Sequence, residues 1–242
     1  MEKEIREPWQ EVSDILGHLQ VHLQDWQESG LDVPRPVAKT VAPLIKKPAD
    51  PEAEAGSLAE LEKQMQNCTL CRLHQGRTRL VFGEGSAQAE LIFVGEGPGR
   101  EDDQQGRPFT GEAGELLTKI IRAMGLERRQ VYLCHAVKCR STEHRDPEAD
   151  EIACCLPFLK KQLACIKPRI ICTLGRIAGQ ALLGESFQLA EQRGRWLAYD
   201  EIPLLPTYHP AYLLRKPSAK RQVWEDIQKI MKHLGLEVKK NV

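Results

Sequence analysis

Four short apolar runs, at residues 91–94, 131–133, 170–174 and 202–205, alternate with segments of helical periodicity at 113–124, 147–164, 176–183 and about 219–234. This alternation constrains the fold more than any other feature of the chain. A strand that is apolar at every position must be covered on both faces, and an intervening helix returns the chain to start the next strand in the same direction. The pattern predicts an α/β domain in which helices cover both faces of a parallel sheet. The last helix carries Trp224, Ile227, Ile230, Met231 and Leu234 on one side. A hairpin is expected over 188–200, with Arg193-Gly194 at its centre. In such folds ligands bind outside the carboxyl ends of the strands, so the chemistry is expected after Val94, Leu133 and Pro206.

Two further zones precede this domain. Trp9, Val12, Leu16, Leu19, Leu23 and Trp26 step by three and four residues and end at Ser29-Gly30, which predicts an amphipathic helical appendage over 1–30. That helix, at 9–26, either docks on its own domain or serves self-association or a protein partner. Residues 31–56 hold prolines at 34, 36, 43, 48 and 51 among Ala, Lys and Glu, the composition of an extended linker. The folded domain is then 57–242.

After the first strand the chain reads Gly95-Glu96-Gly97-Pro98-Gly99, and a few residues later Gly106-Arg107-Pro108-Phe109. The glycines let a backbone approach a ligand closely, but the spacing is not that of a dinucleotide fingerprint and no phosphate-binding P-loop occurs. Glu96 falls at a strand tip, where a carboxylate can face a pocket. Phe109 is an aromatic in a polar loop, either core or a stacking platform for a planar ligand. His135 follows the second strand. His209 follows the fourth and precedes Pro210, which holds it out of helical geometry. From 203 to 222 there is no acidic residue, while Arg215, Lys216, Lys220 and Arg221 are basic. That is a local cationic patch suited to phosphates. The whole chain balances 34 Lys and Arg against 34 Asp and Glu, so only local clusters argue for nucleic acid.

The chain has 8 cysteines. Its longest apolar stretch, 152–159, is far short of the ~20 residues that span a bilayer. The first residues lack the apolar core of a signal peptide, so a cytoplasmic protein is expected. A reducing compartment argues against a disulfide framework and leaves metal ligation, catalysis or buried thiols. Cys68-Thr69-Leu70-Cys71 is a C-x₂-C pair that needs two more ligands from Cys134, Cys139, Cys154, Cys155, Cys165 and Cys172. Four thiolates suit either tetrahedral zinc or an iron–sulfur cluster.

In their order and combination, these segments resemble the family 4 uracil-DNA glycosylases, the iron–sulfur type of that superfamily. The carrying motifs are C-x₂-C with Arg72 and Gly76-Arg77-Thr78, Val81-Phe82-Gly83-Glu84-Gly85, the two glycine-rich segments around Glu96 and Phe109, Val137-Lys138-Cys139-Arg140, and His209-Pro210-Ala211-Tyr212-Leu213-Leu214-Arg215. The resemblance runs from about 61 to 234. It implies a three-layer α/β/α fold with a central four-stranded parallel sheet, and base-excision repair of uracil in single- or double-stranded DNA. It implies a 4Fe–4S cluster on Cys68, Cys71, Cys155 and Cys172, with Cys154 the rival for the third place and Cys134, Cys139 and Cys165 as non-ligands. It makes Glu96 and His209 catalytic and puts Gly97, Asp102, Phe109 and His135 around the base. Leu213, Leu214, Arg215 and Lys216 are expected on DNA.

Three departures from the family pattern stand out. His135 replaces the usual Asn that reads the uracil edge with an acceptor and a donor together, whereas an imidazole nitrogen offers one or the other. Asp102 replaces the more usual Glu. Ser141-Thr142-Glu143-His144-Arg145 replaces Pro-Pro-x-Asn-Arg. These departures keep open a second reading, a weakly catalytic or non-catalytic DNA- or partner-binding protein on the same scaffold. A third is a zinc-stabilised nucleotide-binding enzyme.

Overall fold

The computed structural model describes residues 57–141 and 145–238. The chain divides into two units, Met1–Pro48 and Ala49–Val242, and all the described residues belong to the second. The expected appendage, the linker and positions 142–144 lie outside the described residues. No described helix is long and apolar enough to cross a membrane.

The sheet has 6 strands: β1 (Glu84–Gly85), β2 (Leu91–Gly95), β3 (Tyr132–His135), β4 (Ile170–Leu174), β5 (Leu197–Tyr199) and β6 (Ile202–Thr207), in the order β1-β3-β2-β4-β6-β5. The central strands β3, β2, β4 and β6 are parallel. This is the expected four-stranded parallel sheet, widened by β1 and β5, which pair antiparallel at the two edges. Every residue of β2, β3 and β4 is buried, as a strand covered on both faces requires. Side chains alternate between the two layers. Leu91, Phe93, Cys172, Leu174 and Leu205 face one apolar cluster. Ile92, Val94, Cys134, Ile171 and Leu204 face the other.

Helices α3 (Glu112–Ala123) and α8 (Lys220–Leu234) cover the first face through Leu117, Ile121, Val223, Ile227 and Ile230. Helices α4 (Ala149–Ile166) and α5 (Arg176–Leu183) cover the second through Leu159, Leu163, Ala178 and Leu182. Shorter helices complete the domain: α1 (Leu58–Met65), α2 (Arg100–Gln105), α6 (Leu189–Gln192) and α7 (Pro210–Arg215). The expected hairpin forms one turn later than Arg193-Gly194 suggests. Residues 189–192 are helical, and β5 turns into β6 through Asp200 and Glu201, both at positive φ (44° and 67°). Two successive left-handed residues match the twist of a tight antiparallel connection.

Because the four central strands are parallel, their carboxyl ends lie at one edge of the sheet. Glu96, Gly175 and His209 follow these ends, and His135 is the last residue of β3.

Candidate active site and thiol cavity

Glu96, one residue beyond β2, accepts the backbone N–H of Ile177 at 3.3 Å with Oε1, at the amino-terminal turn of α5. Gly175 makes room for it: a Cβ there would lie 2.4 Å from the same oxygen, and its φ of +93° favours glycine. Burial pushes the Glu96 carboxyl up and Asp146 adds to this, while Ile177 and the Arg176 side chain pull the other way; the net direction is up.

His209 caps α7. Its Nδ1 accepts the N–H of Ala211 at 3.2 Å. Burial lowers its pKa to about 4, with His135 and Arg215 acting in the same sense and Asp102 against them. The imidazole is therefore neutral near pH 7, and because Nδ1 accepts, the hydrogen resides on Nε2. Glu96, Gly97, His209 and Arg215 line one open cleft together with Asp146, Arg176 and Tyr208.

Phe109 sits one layer deeper and is 4% exposed. Its ring lies 4.4 Å from that of His135 and 6.0 Å from that of His209, centroid to centroid. Its φ is +55°, unusual for an aromatic residue. Arg128 holds the strained turn by donating to the carbonyls of Pro108 (2.9 Å) and Phe109 (3.1 Å) and to Thr118 Oγ1 (3.1 Å). Gly114 lets α3 pass, since a Cβ there would fall 1.8 Å from the Phe109 carbonyl oxygen. Gly95 is equally constrained: a Cβ would lie 2.6 Å from both His135 Nδ1 and Phe109 Cζ. Nothing in the sequence singles out Arg128 for this role.

Asp102 accepts from Thr110 N (2.7 Å), Thr110 Oγ1 (2.8 Å) and Gly99 N (3.2 Å), and pairs with His135 Nε2 at 3.1 Å. Burial alone would raise its pKa, but the hydrogen bonds from His135 and Thr110 outweigh it and hold the carboxyl well below the usual range. Burial lowers the pKa of His135, against the pull of Asp102. A neutral His135 thus donates from Nε2 to an ionised Asp102. Its Nδ1 is buried and has no partner.

The expected DNA-contacting residues divide. Leu213 is 1% exposed and belongs to the apolar core under α3 and α8, so it is corrected to a packing residue. Leu214 is 41% exposed, and Arg215 and Lys216 are exposed beside it.

The cysteine expectation is corrected at Cys172, and Cys139, expected as a non-ligand, joins the cavity lining. Cys68, Cys71 and Cys155 line one small cavity, but Cys172 does not. Cys172 lies in the middle of β4, paired in register with Phe93 and Leu205 and fully buried in the core. A thiol there is sealed among apolar side chains. Cys139 and Cys154 complete the cavity lining, joined by His74, Arg77 and Lys138, and no carboxylate lines it. Arg77 Nη1 donates to Cys139 Sγ at 3.1 Å, and the backbone N–H of Lys138 donates to Cys155 Sγ at 3.4 Å. The segment carrying Cys68 and Cys71 is tied to α4 by the buried Glu151, which accepts from Arg72 Nε (2.8 Å) and from both terminal nitrogens of Arg145 (2.6 and 2.8 Å). These bonds, Arg145 first, pull the Glu151 carboxyl down to about 2. Glu151 carries no sequence signal beyond its place in a helix first turn.

Comparison with known proteins places this geometry in context. The family model described as the uracil DNA glycosylase superfamily matches residues 82–228. The chain is 44% identical over 183 residues to a type-4 uracil-DNA glycosylase of Sulfurisphaera tokodaii, covering 72% of this chain and 83% of that protein. It is 42% identical over 175 residues to the type-4 uracil-DNA glycosylase of Thermotoga maritima, covering 70% and 90% respectively. A type-5 uracil-DNA glycosylase of Thermus thermophilus is 32% identical over 151 residues, covering 54% of this chain and 68% of that protein.

Proposed function

Since the chain belongs to the uracil DNA glycosylase superfamily, with relatives of the type-4 group, we propose that it hydrolyses the N-glycosidic bond of uracil in DNA through Glu96 and His209. The observation that carries this reading is their convergence: two side chains from the ends of β2 and β6 line one cleft, one a carboxylate and the other a neutral imidazole with its hydrogen on Nε2.

A base inside a duplex is out of reach, so the nucleotide swings out of the stack into the cleft. Leu214 is the exposed apolar side chain suited to the gap it leaves, and Arg215 and Lys216 are the cations for the flanking phosphates. Phe109 is the stacking surface for the base. Its ring is covered by the His135 and His209 imidazoles, so a base that stacks on it displaces one of them. As the C1′–N1 bond breaks, the sugar gains oxocarbenium character and the base gains negative charge. The Nε2–H of His209 donates to the base oxygen where that charge collects, which lowers the barrier as an oxyanion-hole donor does. Glu96 stabilises the sugar cation and accepts a proton from the water that attacks C1′. Gly97 contributes a backbone contact, and Asp102 and His135 border the base.

The donor set of the thiol cavity fits an iron–sulfur cluster. A cluster spreads its thiolates over several irons. The residues to hold it are Cys68, Cys71, Cys139 and Cys155. The cationic and backbone donors on Cys139 and Cys155 favour those two over Cys154. These four cysteines would supply its thiolates from the 68–71 segment, the exit of β3 and α4.

The test is release of uracil from single- and double-stranded oligonucleotides by the wild type and by Glu96→Ala. Release by the wild type alone is expected. No release by the wild type from either substrate overturns the assignment and favours the non-catalytic reading.

A further inference from the structure

Lys138 is fully buried. Its Nζ donates to the carbonyl of His135 at 2.7 Å and to Oε1 of Gln162 at 2.6 Å. Gln162 has no freedom to turn, because its Nε2 donates to the carbonyl of Phe82 (2.9 Å) and to Tyr132 Oη (3.2 Å). No carboxylate forms an ion pair with Lys138 among the described residues. The buried acids are engaged elsewhere: Asp102 with His135, Asp103 with the backbone N–H groups of Thr78 and Arg79, Glu151 with Arg72 and Arg145, and Asp226 with Arg193. A buried cation without a counter-ion is costly, and neutral acceptors offset only part of that cost.

The missing anion has an obvious place. Lys138 lines the thiol cavity, its backbone N–H donates to Cys155 Sγ, and its ammonium, which also faces the Cys134 thiol, acts electrostatically on Cys155. Iron held by four thiolates carries net negative charge there. We propose that Lys138 is a positioning residue that joins the two sites: its ammonium balances the thiolate-held cluster, and the same group clamps the His135 carbonyl at the tip of β3, one side of the base site. This rests on the reading of the thiol cavity as an iron–sulfur site. The clamp spans three residues, from Lys138 back to His135, so the cluster's charge and the placement of the base-bordering imidazole meet in one short loop.

The experiment compares anaerobically purified wild type, Lys138→Met, Lys138→Arg and the Lys138→Met/Gln162→Met pair, which replaces both polar partners with apolar side chains and so protects folding. Iron and acid-labile sulfide content, the rate at which the ~400 nm absorbance bleaches in air, and the midpoint potential are read for each. In both Met variants the cluster is expected to bleach several-fold faster and its potential to fall, because a cation beside it favours the more negative, reduced form. Lys138→Arg, which keeps the charge, is expected to stay near the wild-type potential. A loaded Met variant with wild-type potential and bleaching rate overturns the proposal. Absence of iron and sulfide from the wild type overturns the cluster reading itself, a separate outcome.

Discussion

His209 accepts the backbone N–H of Ala211 through Nδ1 at 3.2 Å, and this bond fixes which nitrogen carries the hydrogen. The cap of α7 and the proposed donor to the base are therefore the same side chain seen from its two ends. Protonation puts a hydrogen on Nδ1 facing the Ala211 N–H, and the cap is lost.

A pH dependence of stability follows. The folded pKa of His209, about 4, lies below its ordinary 6.5. Between these values the unfolded chain binds more protons, so the contribution is fully present above 6.5 and is lost as pH falls through about 4. Asn keeps a cap without titrating. Denaturant midpoints measured from pH 7 to 4 are expected to fall more steeply for the wild type than for His209→Asn. Parallel curves contradict the capping tautomer.

Gly95→Ala places a methyl group 2.6 Å from both His135 Nδ1 and Phe109 Cζ. The expected cost is about 1–3 kcal/mol of stability from overpacking, together with loss of uracil excision as the two rings are pushed apart. Wild-type excision by a folded Gly95→Ala protein removes Phe109 and His135 from the base site.

The thiol assignment separates two buried cysteines. Cys139→Ala is expected to abolish iron and sulfide binding. Cys172→Ala is expected to retain both and to lose about 1–2 kcal/mol through a small core cavity. Loss of iron and sulfide from Cys172→Ala, with both retained by Cys139→Ala, contradicts this assignment.

His135 spends its one hydrogen on Asp102 and leaves Nδ1 as a lone acceptor. An Asn at this position offers an acceptor and a donor together. His135→Asn is therefore expected to raise uracil excision and to increase its preference over hypoxanthine and xanthine, measured side by side on matched oligonucleotides. A slower, less selective His135→Asn variant contradicts this.

What the sequence made legible has a physical boundary. The parallel strands were readable because they are covered on both faces and so read as apolar runs: β2 and β4 are buried throughout, and β6 from Leu204 onward. The edge strands β1 and β5 were not, since 2 and 3 residues with mixed exposure carry no period. Arg193-Gly194 looked like a turn, whereas the chain turns at Asp200-Glu201 without a glycine. Glu96 and His209 stood out because they follow strand ends, where parallel topology gathers chemistry. Spacing alone does not tell a thiol in mid-strand, Cys172, from one just past a strand tip, Cys139. Leu213 and Leu214 are adjacent on a helix of 6 residues, too short for periodicity to say which one faces the core.

The most direct test is a double-mutant cycle on single-turnover uracil excision with wild type, Glu96→Gln, His209→Gln and the double variant. Each single change is expected to slow bond cleavage by about 10²–10³-fold. The double variant is expected to fall well short of the product of those losses, because both groups act on one transition state. Wild-type rates in either single variant contradict a shared catalytic cleft, and so do losses that multiply in full.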